Sequence, residues 1–134
     1  MAIFMDTNIL ISYYNEDDEN HEKAEKLIED IFKKRKYGEI VTSDYVFNEC
    51  MNVCIRRTKS KNKTIELGQM MFNSMTIFNV SIPIFKMSWE LFKEIKMNFT
   101  DCTNIILVIW YGIENIATFD KQFKNVNNIN VIDK

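Results

Sequence analysis

Four carboxylates in this chain sit where short apolar runs break: Asp6 in MAIFMDTNIL, Glu49 in SDYVFNEC, Asp101 in FTDCTNIILV and Asp120 in IATFDKQF. A carboxylate at such a break can cap a helix, accept a phosphoryl group or hold a metal ion. Taken singly, each has a bland role. Asp101 suits the positive end of its helix, Asp120 suits a turn, and Glu49 suits a half-exposed helix face. Asp6, directly after a core-like run, points more strongly to chemistry or capping. Together they come from four separate segments, and capping alone does not account for the set.

The elements that would position them follow from periodicity. AIFM (2–5) reads as a buried strand and TNILISYYN as a short helix. An amphipathic helix is expected from about Asn20 to Lys36, with Ala24, Leu27, Ile28, Ile31 and Phe32 as its apolar stripe and Gly38 as its cap. EIVT (39–42) reads as a strand, and Ser43 caps a helix running to about Arg57. RRTKSKNK is expected to be a solvated turn before a helix over about Lys63–Asn73, which Gly68 weakens. TIFNVSIP (76–83) reads as a strand stopped by Pro83. Phe85, Ser88, Trp89, Phe92 and Ile95 mark another helix, and TDCTNIILVIWYG a central buried one. NIATF (115–119) and NINVI (128–132) read as the last strands.

Strands separated by helices imply an α/β layered fold with a central parallel sheet. Sites in such sheets lie beyond the carboxyl ends of the strands. Asp6 and Asp120 both follow strands, so they belong on one rim. Glu49 borders the stripe of Val46, Cys50, Val53 and Cys54, and Asp101 opens the buried helix, so both are expected nearby.

Such a cluster is costly when empty. Two carboxylates about 6 Å apart repel by roughly 3 kcal/mol at an effective dielectric near 20, against a whole domain stability of about 5–15 kcal/mol. The cluster must take up protons or bind cations. Hard divalent ions such as Mg²⁺ or Mn²⁺ prefer carboxylate oxygens and water. No His or Cys set offers a softer site; His21, the one histidine, lies in an acidic stretch and reads as a surface residue. A carboxylate-held metal suits phosphate chemistry, because it activates water and neutralises charge on phosphate oxygens.

The remaining composition bounds the class. The 134 residues suit one domain spanning 1–134, with 46% hydrophobic residues and only one proline and three glycines. A net charge of −2 excludes a uniformly basic nucleic-acid binder, yet RRTKSKNK concentrates five basic residues without an acid. Arg56, Arg57, Lys59, Lys61 and Lys63 could therefore follow an RNA backbone, or simply solvate a loop. Tyr13 and Tyr14 could stack on bases, although packing or a dimer contact is the simpler role. Cys50, Cys54 and Cys102 show no paired spacing and read as small buried hydrophobes in a reducing, cytoplasmic setting. No signal peptide is read, and the longest apolar run, IILVIWY, is far short of the roughly 20 residues that span a bilayer. No membrane partner is expected.

At FMDTNIL, SDYVFNEC, FTDCTNIILV and IATFDKQF the sequence resembles the PIN-domain family, in particular the VapC-like toxins of toxin–antitoxin pairs. Each motif alone is weak, while the ordered set spans nearly the whole chain. The resemblance implies a three-layer α/β/α fold and a divalent-metal-dependent endoribonuclease. It implies that Asp6, Glu49, Asp101 and Asp120 are the acidic quartet. Asp6 and Asp101 would bind metal, Asp120 would bind it directly or through water, and Glu49 would bind it or orient the attacking water. Asn8 matches the small polar residue that supports the first aspartate, Thr118 a hydroxyl near the fourth acid, and Phe123 a packing aromatic. An antitoxin partner and a homodimer are implied too, with Ile11 and Phe32 available to such surfaces or to the core. Cys102 departs from the family's usual alanine, which raises the expectation of oxidation sensitivity.

Two rival enzymes fit poorly. A haloacid-dehalogenase-type phosphotransferase needs a second aspartate where Asn8 stands, and a response-regulator receiver needs an acidic pair that Asp6 lacks. The non-enzymatic alternative is a PIN-like module that binds RNA or protein without catalysis.

Overall fold

A computed structural model describes residues 1–134. Strands β1 (Ala2–Met5), β2 (Glu39–Ser43), β3 (Thr76–Phe78), β4 (Asn115–Ala117) and β5 (Asn130–Ile132) form one sheet in the order β3–β2–β1–β4–β5. Every pairing is parallel, with Phe4 flanked by Val41 and Ile116. The chain steps from β1 outward through β2 to β3, then returns to the other side of β1. Right-handed crossovers put the helices of the two halves on opposite faces of the sheet. Accordingly α1 (Thr7–Tyr14), α2 (His21–Ile28), α3 (Asp44–Thr58) and α4 (Lys61–Ser74) pack among themselves, and α5 (Ile82–Phe92) packs with α6 (Phe99–Trp110). The strand order reverses beside β1, and a crevice opens there at the carboxyl ends of the strands.

The sheet's middle is fully apolar: Ile3, Phe4 and Met5 have no exposed surface, nor does Ile116. Residues Cys102 to Val108 of α6 are all buried, as its all-round apolar character requires. Phe123 packs in the core. No helix is long and apolar enough to cross a membrane.

Several boundaries differ from the sequence reading, each for a local reason. β3 stops at Phe78, and Pro83 sits in the first turn of α5, where its missing N–H costs nothing; the Ser81 side chain caps that turn. The helix from His21 widens over Glu29–Lys33, where the Lys34 N–H reaches the Glu29 carbonyl at 3.1 Å, and stops before Lys36. Arg35 (φ 52°) takes the left-handed conformation directly after that helix, and Gly38, also at positive φ, lies three residues further on. RRTKSKNK is mostly helical. Arg56 and Arg57 complete α3, Lys61 and Lys63 open α4, and only Lys59 (φ 54°) and Ser60 lie between. The Ser60 hydroxyl accepts the Lys63 N–H at 3.1 Å, so the turn is a back-to-back cap. The last two strands are each two residues shorter than the apolar runs suggest.

Gly38 serves close packing instead. It adopts φ +80°, and a Cβ there would lie 2.4 Å from the backbone oxygen of Met1. Gly38→Ala should therefore cost more than about 1 kcal/mol, read as a lower urea midpoint with an unchanged slope.

Candidate active site

Asp6 is the first residue past β1, and its backbone N–H extends the β1–β4 ladder by donating to the Ala117 carbonyl at 3.0 Å. The residue is 4% exposed. The Thr7 N–H donates to Oδ1 at 2.8 Å, so Asp6 does cap α1, and the Asn104 amide donates to the same oxygen at 3.3 Å. The Thr118 hydroxyl donates to Oδ2 at 2.8 Å, and the Asn8 amide approaches it at 3.4 Å. Asn8 also donates to Thr118 Oγ1 at 3.0 Å and accepts the Phe119 N–H at 3.0 Å. The Asp120 N–H donates to Thr118 Oγ1 at 3.1 Å. One hydroxyl and one amide thus tie the exits of β1 and β4 together.

The other acids arrive on other elements. Glu49, Val53 and Arg57 lie four residues apart on one face of α3. Asp101 stands in the first turn of α6, where Asn98 caps the helix by accepting the Asp101 N–H at 2.8 Å. Asp120 caps the short 3₁₀ turn Lys121–Asn125 through the Gln122 N–H at 2.9 Å. Capping and clustering therefore coexist at Asp6 and Asp120. All four acids line one cavity of about 250 Å³, together with Asn8, Asn98 and Arg57.

The electrostatics are unfavourable as they stand. Burial pushes the Asp6 carboxyl up from its ordinary value to about 6; the Thr118 and Thr7 hydrogen bonds oppose the rise, and the charges of Glu49 and Asp120 add to it. Asp101 is pushed up to about 7 by burial and by repulsion from Asp6, Asp120 and Glu49. The chain's four ion pairs lie elsewhere, at His21–Glu25, Asp30–Lys34, Glu90–Lys93 and Lys124–Asp133. Arg57 is the one cationic side chain lining the cavity, and it is exposed.

The structure places the remaining candidate residues unevenly. The acids share a cavity, but no three of them are arranged to hold a metal ion by themselves. The donor set still fits a hard cation, since Mg²⁺ commonly takes one or two carboxylates and fills its shell with water. Asn104 Oδ1, buried behind Asp6 without a partner, is an acceptor that a water could satisfy. Arg57 joins the acids and Arg56 lines an adjoining groove, whereas Lys59 and Lys61 line neither. His21 is half-buried, its Nδ1 2.8 Å from the Ser12 carbonyl, and bridges α1 to α2. Tyr13 and Tyr14 line a separate groove with Ile28, Phe32 and Met70, away from the acids. Cys102 is fully buried and its thiol is pushed up by burial and by neighbouring Asp101, so easy oxidation is not expected.

Asn104 is the site residue that sequence reasoning missed. Its signal was present: an amide inside an apolar helix, one turn after Asp101 and on the same face. Asn98 was also missed, although it is a plain cap at the start of that helix.

The family model of the PIN domain matches residues 3–129. The chain belongs to the PIN-domain family. No curated protein matches its sequence. Among solved structures, this PIN domain is similar to VapC20 of Mycobacterium tuberculosis, described as a toxin that cleaves the sarcin–ricin loop. The TM-score is 0.82 and the identity 21%, over 95% of this chain and 96% of that one. It is also similar to VapBC2 of Rickettsia felis bound to a promoter DNA fragment, with TM-score 0.74 and 18% identity over 98% of each chain. A toxin–antitoxin complex from Klebsiella pneumoniae gives TM-score 0.69 and 21% identity over 98% and 96%. At these identities the likeness is one of fold.

Because Asp6 and Asp101 keep their protons to higher pH when folded than when unfolded, folding takes up protons between about pH 4 and pH 7. Their contribution to stability is full below about pH 4 and is lost as the pH rises through about 6 and 7. In a chelator, urea unfolding should show stability falling from pH 5 to pH 8, by on the order of 1 kcal/mol from Asp6. Asp6→Asn should flatten that slope; an unchanged slope would mean that Asp6 is not destabilised by ionising.

Proposed function

We propose that this PIN domain is a divalent-metal-dependent endoribonuclease, the toxin of a VapBC-type toxin–antitoxin pair, acting in the cytoplasm as one nuclease domain over 1–134. The observation that carries this reading is the meeting of Asp6, Glu49, Asp101 and Asp120 in one cavity at the strand-order reversal. Asp6 and Asp101 would hold Mg²⁺ or Mn²⁺, with Asp120 binding directly or through water. The bound ion would supply an activated water at neutral pH and neutralise charge on the phosphate oxygens.

The chain's own residues do the rest. Asn8, Thr118 and Asn104 fix the Asp6 carboxylate by donating to it, which sets its orientation before any ligand arrives. Glu49 accepts a hydrogen from the attacking water and orients it toward phosphorus, where the bond to the leaving ribose oxygen breaks. Arg57 offsets the negative wall and holds a phosphate oxygen of the entering strand. Arg56 on α3 extends that basic track into the adjoining groove, and Lys59 and Lys61, at the turn into α4, carry it beyond the two cavities.

The toxin reading implies an antitoxin and a homodimer. A partner's apolar side chains would seat in the groove of Tyr13, Tyr14, Ile28, Phe32 and Met70, with the adjoining segment reaching the acids.

Incubation with structured RNA should give cleavage with Mg²⁺ or Mn²⁺, none in chelator, and a loss of at least about 100-fold in Asp6→Asn. Cleavage that survives in Asp6→Asn would overturn the assignment. RNA binding without cleavage by the wild-type chain would favour a non-catalytic PIN module.

A further inference from the structure

Beside the acidic cavity lies a second one, of about 470 Å³, lined by Tyr45, Asn48, Asn52, Arg56 and Thr100 and sharing Glu49 and Val53 with the first. The two cavities thus meet along one ridge of α3. We propose that this second groove reads the base of the nucleotide next to the scissile phosphate in a single-stranded RNA, a subsite that deepens the nuclease reading and rests on it.

Residue chemistry favours a base over other occupants. Tyr45, Asn48, Asn52 and Arg56 recur at three and four residues, which puts an aromatic ring, two amides and a guanidinium in a row along α3. An amide presents a donor and an acceptor side by side, the pattern that pairs with a base edge. A tyrosine ring or an arginine plane can stack on an unpaired base. Asn48 and Asn52 are exposed, in a helix interior where asparagine is a poor helix former. Asn8, Asn79, Asn98, Asn104 and Asn115 all use their side chains in hydrogen bonds that hold the fold. The amides of Asn48 and Asn52 face an open groove instead.

Continuity supplies the placement. A strand whose phosphate lies among Asp6, Glu49 and Asp101 has its neighbouring nucleotide within reach of a groove that begins at Glu49. Arg57 faces the first cavity and Arg56 the second, so adjacent positions on α3 would meet consecutive parts of the chain.

The test is cleavage of a randomised single-stranded RNA library by wild type, Asn48→Ala, Asn52→Ala and the double variant, with cut sites sequenced. Alanine is the better helix former at both positions, so the variants keep the fold. The expected result is a base preference next to the cut in wild type that weakens in the variants. The preferred sequence should lose roughly 10-fold or more in rate, and the least preferred sequence should change little. Binding of the preferred oligomer by the Asp6→Asn chain, read by fluorescence anisotropy, should weaken when the asparagine substitutions are added. Cleavage with the same preference and rates in all four proteins would overturn the subsite and leave the nuclease reading intact. An unchanged RNA profile with lost grip on a partner protein would assign the groove to protein and also overturn it. Absence of cleavage by wild type, or cleavage undiminished by Asp6→Asn, would remove the nuclease reading and the subsite with it.

Discussion

A carboxylate buried at the end of the central strand governs this molecule. Asp6 is held by the Thr7 amide, the Thr118 hydroxyl and the Asn104 side chain, yet burial still raises its proton affinity against all of them. Three further acids line the same small cavity, and no ion pair inside the chain balances them. The apolar core makes this arrangement tolerable. Phe4, Met5, Ile116 and Ala117 are fully buried around the strand ends, so the rim cannot relax to let the acids separate.

Fold and site share the same residues. Asp6 caps α1, Asp120 caps the turn after β4, and Asn98 caps the helix that carries Asp101. Each cap fixes the orientation of a helix start or turn while aiming a polar group at one cavity. Asn8 and Thr118 join the exits of β1 and β4, neighbours in space and more than a hundred residues apart in sequence. This economy explains why neither Asp6 nor Asp120 can be read as purely structural or purely chemical.

Much of this was legible in the sequence, and the limits have physical causes. The acids could be placed because parallel strands put their carboxyl ends on one rim, so Asp6 and Asp120 were neighbours by topology alone. Buried packing of Cys50 and Cys54 follows from their type, and that of Phe123 from the family resemblance. Pro83 is ambiguous in the sequence because the same residue type that ends a strand also begins a helix. The charge and polarity of RRTKSKNK resemble a loop, whereas a left-handed Lys59 and a Ser60 cap let two helices abut. Asn104 was overlooked because an apolar helix draws attention to its packing, and its amide acquires meaning only when β1 lies alongside.

Calorimetric titration of Mn²⁺ into the chain at pH 6.5, repeated in buffers of different ionisation enthalpy, tests the central claim most directly. Cation binding to carboxyls that titrate near 6 and 7 must expel their protons, so about one proton should be released per ion, falling toward none at pH 9. Binding with no proton release at pH 6.5, or release equally large in Asp6→Asn, would contradict a cavity whose acids are strained by one another and relieved by a cation.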